Sequence, residues 1–336
     1  MEFEDKFGKQ IKSTNKAVLI TGCDTGFGFS IAKRLSKKGF QVFAGCLSPL
    51  KNGGLELKSL PNVHCLQMDV SREQDINFVL NYIERNLGEN ELWAVINNAG
   101  ISKGSEVEIT SMEKIEEVID VNLLGTIRVT KAFLPQLRKS KGRIINVASA
   151  AGRLTMPGFV AYSTSKQAII AFSDGLRLEM QKFGVAVVTI EPWMFRTRLS
   201  DPTSVSRYVE KQWNEVNDSV KTAYSGTYAA KLKRNTKGLF ASVMDPNIDK
   251  VINVMEDAVI SECPPYHYRP GRITLFEDEN GAESSMKLSC CVGKRQYTGS
   301  GISACSIQHI LFQYGCLQFP GILNGIVKIE CPDALE

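Results

Sequence analysis

Residues 17–39 read AVLITGCDTGFGFSIAKRLSKKG, and this stretch decides the fold. Its first five residues, AVLIT, are apolar without alternation, the mark of a strand buried on both faces. Gly22, Gly26 and Gly28 follow in a turn that also holds Asp24 and Phe27. FSIAKRLSKKG then spaces its apolar residues as a helix does and stops at Gly39. Three glycines between a strand and a helix let the backbone turn sharply and come close to a pyrophosphate. The helix start adds free N–H groups and the positive end of its dipole. The stretch therefore predicts a parallel sheet with a dinucleotide cleft at its edge.

Outward from there the alternation continues. QVFAGCL (41–47), VHCLQMDV (63–70), LWAVINNAG (92–100), GRIINVAS (142–149) and VAVVTIEP (185–192) read as further strands. Helical patterns lie between them, reaching about residue 86 and covering 111–139 and 160–183. Strands alternating with helices, several apolar on both faces, predict an α/β fold with a doubly wound parallel sheet. Residues 1–16 form a polar arm, and 17–271 make one domain. Residues 193–240 are more polar and read as helical excursions; DPNIDKVINVMEDAVI (245–260) reads as one more helix. From 272 to 336 the regular pattern fades into an irregular extension.

Composition narrows the function classes. The chain has 336 residues, 43% apolar and 23% charged, ordinary values for a globular domain. A net charge of +4 without a Lys/Arg block argues against nucleic-acid binding. The small basic excess leaves peripheral contact with an anionic membrane open. No stretch reads as an integral span, because the apolar residues of 301–329 are broken by Gly315, Pro320, Gly321 and Gly325. Nine cysteines without a CxxC, and only three histidines, predict no metal site. Such cysteine use reads as a reducing compartment, the cytoplasm by default, with the endoplasmic-reticulum surface and the mitochondrion as alternatives.

The chemistry is carried by Tyr162 and Lys166, four apart on a helical pattern and so on one face. A free phenol has a pKa of about 10, too high for a base at neutral pH. A cation about 4 Å away at an effective dielectric near 20 contributes roughly 4 kcal/mol, about three pKa units. Ser149 closes the fifth strand and is placed to hold a substrate oxygen while the phenol exchanges a proton. Asp69, at the end of the third strand, is either an acceptor for an adenine amino group or a helix cap. Asn97-Asn98-Ala99-Gly100 closes the fourth strand where ligands sit in open α/β sheets. Asp24, and the absence of arginine after the second strand, favour NAD; Lys51 keeps NADP open.

TGCDTGFG, NNAG, Asn122, Ser149 and the YxxxK pair together resemble the short-chain dehydrogenase/reductase family over about residues 16–271. The resemblance implies a single Rossmann domain with seven parallel strands. It implies Tyr162 as general acid/base, Lys166 lowering its pKa and binding the nicotinamide ribose, Ser149 orienting the substrate oxygen, and Asn122 holding a relay water. Gly22, Asp24, Gly26, Phe27, Gly28, Asp69, Val70, Asn98, Ala99, Gly100, Pro192 and Thr197 carry over as cofactor contacts. A homo-dimer or tetramer is implied as well.

Within the family the chain is similar to the branch of retinol, 17-beta-hydroxysteroid and D-3-hydroxybutyrate dehydrogenases. GFGFSIAKRL, VFAGCL, NNAGIS, EVEITS and GTIRVTKAFLP resemble the hydroxybutyrate member. Phe195-Arg196-Thr197, the DPN at 245–247 and Tyr268-Arg269-Pro270-Gly271 resemble the retinol and steroid members. The second group includes the substrate lid, about 193–240, so a small lipophilic substrate is the leading expectation. D-3-hydroxybutyrate, with Arg153, Lys103 or Arg198 holding its carboxylate, is the alternative, and a non-catalytic dinucleotide-binding scaffold is a third. Three departures stand out. Trp193 replaces the glycine that usually follows Pro192, which is expected to crowd the nicotinamide or re-aim the lid and leaves the placement of Thr197 open. MEFEDKFGKQIKSTNK does not read as the N-terminal anchor expected of retinol members, and the tail beyond Gly271 does not resemble the branch.

Overall fold

The apolar run after the polar arm is strand β1, Lys16–Thr21, whose Ala17, Val18, Leu19 and Ile20 are all buried. The computed structural model describes residues 9–51, 53–224, 228, 230, 231, 234, 243–271, 274–277 and 283–285. A strand with no exposed face needs cover on both sides. Val18 and Ile20 meet one helical layer, with Ile31 and Leu35 of α1 (Gly26–Lys37) and Val251 and Met255 of α9 (Asp249–Ile260). Ala17 and Leu19 meet the other, with Val79 and Ile83 of α3 (Glu73–Asn86), Phe133 and Leu137 of α5 (Gly125–Ser140) and Leu176 of α6 (Val160–Met180). Each fully buried Leu, Ile or Phe contributes roughly 1.5–3 kcal/mol.

The other strands are β2 (Gln41–Cys46), β3 (Val63–Gln67), β4 (Glu91–Asn97), β5 (Arg143–Val147), β6 (Ala186–Ile190) and β7 (His267–Tyr268). They pair in the order β3-β2-β1-β4-β5-β6-β7, and every neighbouring pair is parallel. The order reverses between β1 and β4, so their carboxyl ends diverge and open a crevice. The remaining helices are α2 (Gly53–Lys58), α4 (Met112–Ile119), α7 (Pro202–Glu215) and α8 (Asp218–Ala223); the last two lie in the polar stretch after β6.

Several boundaries differ from the sequence reading. β3 ends at Gln67, not at 70, because the Asp69 carboxylate accepts from Ser71 N at 2.9 Å and Ser71 Oγ at 2.7 Å and bends the chain toward α3. The 111–139 pattern is interrupted by a π-helical turn, Asp120–Leu124, between α4 and α5. α9 starts late because Asp245 accepts from Asn247 N at 2.8 Å and Asn247 from Asp249 N at 3.1 Å, two Asx turns that use up the DPN segment. β7, two residues long, is too short for any periodicity, and α2 opens on Gly53-Gly54, poor helix formers. Of the tail from 272, only β8 (Thr274–Glu277) and β9 (Glu283–Ser285) are described, as an antiparallel pair. The rest of the expected irregular extension, and residues 1–8 of the polar arm, lie outside the described residues.

One buried cation fastens α9 to the sheet. Arg143 opens β5 and is 3% exposed. Its Nη1 donates to the carbonyls of Ala258 at 2.8 Å and Ser261 at 2.7 Å, at the C-terminal end of α9, where carbonyls lack helical partners. The guanidinium stacks on Trp93 at 4.5 Å, and the Trp93 indole donates to Val259 O at 3.0 Å. Burial pulls the guanidinium pKa down to about 10. Arg143→Ala is expected to lower stability by about 3 kcal/mol, from two lost charge-assisted hydrogen bonds. Urea denaturation checks this as a lower midpoint at unchanged slope; an unchanged midpoint would show that the bonds contribute nothing net.

Candidate active site

The crevice floor is the glycine turn bolted to the end of β4. Thr21 Oγ1 accepts from the amides of Asn98 and Ala99, both at 3.0 Å. The Asn98 side-chain amide donates back to Thr21 O at 2.8 Å and Gly22 O at 3.1 Å. Gly22 has φ +70°, and a Cβ there would stand 2.8 Å from Ala99 Cα. A Cβ on Gly28 would stand 2.3 Å from Gly22 O. No side chain fits at either place. Asn98 and Gly28, both expected as cofactor contacts, thus build the turn.

Other expected cofactor residues also have local partners. The Asp24 carboxylate accepts from Leu47 N at 2.9 Å and Ser48 N at 2.8 Å, which puts its charge at the end of β2. Asp69 is committed to Ser71, as described, and Val70 packs its methyls against Gly125 at the start of α5. Gly26, φ +65°, faces Thr197, whose Cβ lies 3.7 Å from where a Gly26 Cβ would be. Phe27 meets Phe195 edge-on at 6.1 Å. The segment after β6 therefore lies across the glycine turn, with Thr197 beside it. Thr25 begins α1 without a side-chain cap, so the N–H groups of its first turn have no side chain of their own to satisfy them.

The proton-handling residues converge at the ends of β4, β5 and α6. Tyr162 lies in the first turn of α6, half-buried, with the Lys166 ammonium 5.6 Å from its ring centre. Lys166 is 4% exposed and donates to Val147 O at the end of β5, at 2.9 Å. Ser149 accepts from Ala151 N at 3.1 Å and lies 3.5 Å from Pro192 O, to which it donates. Asn122 is fully buried in the π-helical turn. It accepts from Ile101 N at 2.8 Å and donates to Ile101 O at 2.9 Å and to Ser165 Oγ at 3.0 Å. Gly100 leaves room between them: a Cβ there would lie 3.3 Å from Asn122 Oδ1 and 3.5 Å from Lys166 Nζ.

The electrostatics depart from the simple picture of a cation beside a phenol. Burial raises the Tyr162 pKa to about 12, opposed by the neighbouring Ser149 hydroxyl. Burial lowers Lys166 to about 8. Desolvation pushes each group toward its neutral form, and the ammonium bonds a backbone carbonyl. The phenol is therefore protonated at neutral pH.

Trp193 is partly buried against the core cluster that holds α1 and α9, and its Cβ sits where Gly271, at φ +95°, leaves space. Its amide donates to Pro270 O at 3.0 Å.

The three cations proposed for a substrate carboxylate differ in fate. Arg153 forks onto Glu191, and Lys103 is paired with Glu117. Arg198 is exposed and has no ion pair among the described residues. Sequence reasoning passed over Glu191 and Ser165. A single acid closing the apolar run VAVVTIEP was the available signal for the first; nothing marked the second.

A family model described as short chain dehydrogenase matches residues 16–207. The mitochondrial D-beta-hydroxybutyrate dehydrogenase of Rattus norvegicus is 40% identical over 266 residues, 77% of this chain and 77% of that protein. Dehydrogenase/reductase SDR family member 9 of Homo sapiens is 35% identical over 260 residues, covering 77% and 81%. Retinol dehydrogenase 7 of Mus musculus is 35% identical over 257 residues, covering 76% and 81%. Among solved structures, a Burkholderia phymatum short-chain dehydrogenase in complex with NAD superposes with TM-score 0.63 at 19% identity, covering 77% of this chain and 90% of that one. One from Burkholderia cenocepacia J2315 in complex with NADP gives 0.58 at 20%, covering 78% and 90%. At those identities the structures speak for the fold.

Lys166 gives a pH signature in the chain without nucleotide. Its folded pKa of about 8 lies below the usual 10.5, so between those values the unfolded chain holds more protons and stability rises with pH. Lys166→Met lacks this rise. The stability difference between variant and wild type is expected to shift by about 3 kcal/mol in favour of wild type from pH 7 to 10.5. Denaturant unfolding across that range measures it, and a difference independent of pH refutes the desolvated ammonium.

Proposed function

This chain belongs to the short chain dehydrogenase family, and from that premise we propose that it interconverts a hydroxyl and a carbonyl on a lipophilic, retinol- or steroid-like substrate. The observation that carries the reading is the convergence of Ser149, Tyr162 and Lys166 at one mouth of the crevice, with Asn122 behind them. It is an oxidoreductase using a nicotinamide dinucleotide, which supplies the hydride acceptor or donor when bound. The residues fit such a group: the turn excludes side chains at Gly22 and Gly28, and the first turn of α1 has no side-chain cap. Asp24 supports NAD, because its carboxylate at the end of β2 would repel a 2′-phosphate. NADP stays open.

Tyr162 acts on the substrate oxygen. Protonated at neutral pH, it can donate to a carbonyl oxygen directly; to take a proton from an alcohol it must first lose its own. The charged form of Lys166, one turn away, favours that loss. Ser149 holds the substrate oxygen through its hydroxyl. Asn122 clamps the Ile101 backbone to α6 through Ser165 and fixes the distance between the β4 end and the tyrosine.

Two observations support the lipophilic class. Arg153 and Lys103 are committed to Glu191 and Glu117. Leu154, Val160 and Leu199, close in the chain to Ser149, Tyr162 and Thr197, are exposed apolar side chains. The second reading, D-3-hydroxybutyrate, is favoured by Arg198 and by the 40% identity to the rat enzyme. The stretch 193–240 that holds α7 and α8 serves as substrate lid in either case, within a domain spanning 17–271. No helix among the described residues is long and apolar enough to cross a membrane. A homo-dimer or tetramer and peripheral membrane contact complete the reading.

Tyr162→Phe is expected to lower kcat by about 10³-fold or more while the Kd for NAD stays within about two-fold. Steady-state rates and nucleotide titration check it; near wild-type turnover removes Tyr162 from the mechanism. All-trans-retinol or an androstane alcohol is expected to give a kcat/KM at least about ten-fold above that for (R)-3-hydroxybutyrate, since an unneutralised carboxylate is costly to bury. The reverse order selects the second reading.

A further inference from the structure

A side-chain cluster next to the site is left unused by the proton chemistry. Glu191 follows β6, precedes Pro192 and is 1% exposed. Arg153 bonds it with both arms of its fork, Nε to Oε2 at 3.1 Å and Nη2 to Oε1 at 3.0 Å. Arg269 Nε reaches Oε2 at 3.1 Å, and His267 Nδ1 lies 2.9 Å from Oε1. The Glu191 amide donates to Tyr268 O at 2.7 Å. Burial pushes the carboxyl up, but the bonds and charges of Arg153 and Arg269 outweigh it and hold the group below the usual carboxylate range.

Arg153 ends the tight turn that Ser149 begins. Ser149 caps a 3-10 turn, Ala150–Gly152, and Arg153 N donates to Ala150 O at 2.9 Å. The same turn is held across to β6 by Ala150 N donating to Pro192 O at 2.9 Å. On its other side it is pressed against α6, where a Cβ on Gly152 would lie 2.8 Å from the Lys166 carbonyl carbon. The Ser149 turn is thus wedged between the backbone of Lys166 and the segment 191–192. A bidentate fork fixes both distance and orientation across that gap, which a single ammonium could not.

We propose that Glu191, through its fork with Arg153, is a positioning residue that sets the Ser149 hydroxyl against Tyr162; this rests on the dehydrogenase reading of Ser149 and Tyr162. Arg269 and His267 bond the carboxylate from β7 and the residue after it, whereas Arg153 belongs to the serine turn itself, so the cluster separates positioning from general support.

The test uses the full chain with NAD and whichever of all-trans-retinol, an androstane alcohol or (R)-3-hydroxybutyrate is turned over fastest. Glu191→Gln and Arg153→Lys, which keeps the charge but loses the fork, are each expected to lower kcat about ten-fold or more, with KM for NAD within about two-fold. Arg269→Gln should keep kcat within about two-fold. In a Ser149→Ala background, Arg153→Lys should have no further effect on kcat. Without substrate, the amides of Ala150, Ala151 and Gly152 should exchange about ten-fold faster in Arg153→Lys and not in Arg269→Gln. Equal loss of kcat in Arg153→Lys and Arg269→Gln, or a full Arg153→Lys effect without the serine hydroxyl, overturns the proposal. If Glu191→Gln does not fold, Arg153→Lys and the exchange rates decide. If Ser149→Ala alone leaves kcat unchanged, the dehydrogenase reading of that serine fails, and the exchange rates still report whether the fork holds the turn.

Discussion

A lysine ammonium buried to 4% exposure and hydrogen-bonded to the Val147 carbonyl is the constraint around which the site is arranged. Burying a charge is costly unless a partner meets it. Here the partner is the last carbonyl of β5, so the lysine ties α6 to the carboxyl edge of the sheet. That tie places Tyr162, one turn earlier, at the crevice mouth. It also leaves the ammonium titrating near 8 and the phenol near 12, both displaced by desolvation.

Around this anchor, polar side chains act as fasteners. Thr21 and Asn98 lock the glycine turn to β4. Asn122 joins the chain after β4 to α6. Glu191 joins the Ser149 turn to β6 and β7. Each is a buried or half-buried group satisfied by backbone or an opposite charge, as burial demands. The fasteners sit where strands end and the regular ladder stops supplying hydrogen bonds. A parallel sheet leaves its carboxyl edge open for a ligand, and the price is that loops there must be held by side chains.

Departures from the family pattern are absorbed locally. Trp193 packs against the core cluster of α1 and α9, where Gly271 gives its Cβ room. Asp24 stands at the end of β2, where an acid from that strand would otherwise be sought, and reaches it from the glycine turn.

The sequence by itself determined the layered α/β fold, because apolar runs and helical spacing are local properties of β1, β4, β5, α1 and α6. It also offered Tyr162, Lys166 and Ser149 as candidates, because residue type and spacing carry that signal, and Asn122 through the family resemblance. It did not reveal β7, too short for any period, or the π-helical turn around Asn122, which hydrogen-bond register decides. Nor did it reveal the partners of Asp24, Asn98 and Arg153. In the sequence Arg153 reads as a candidate for a substrate carboxylate; in the fold it is forked onto Glu191, 38 positions away. Only the tertiary structure decided the charge states of the Tyr162–Lys166 pair, because desolvation depends on everything packed around a group and not on its neighbours in the chain.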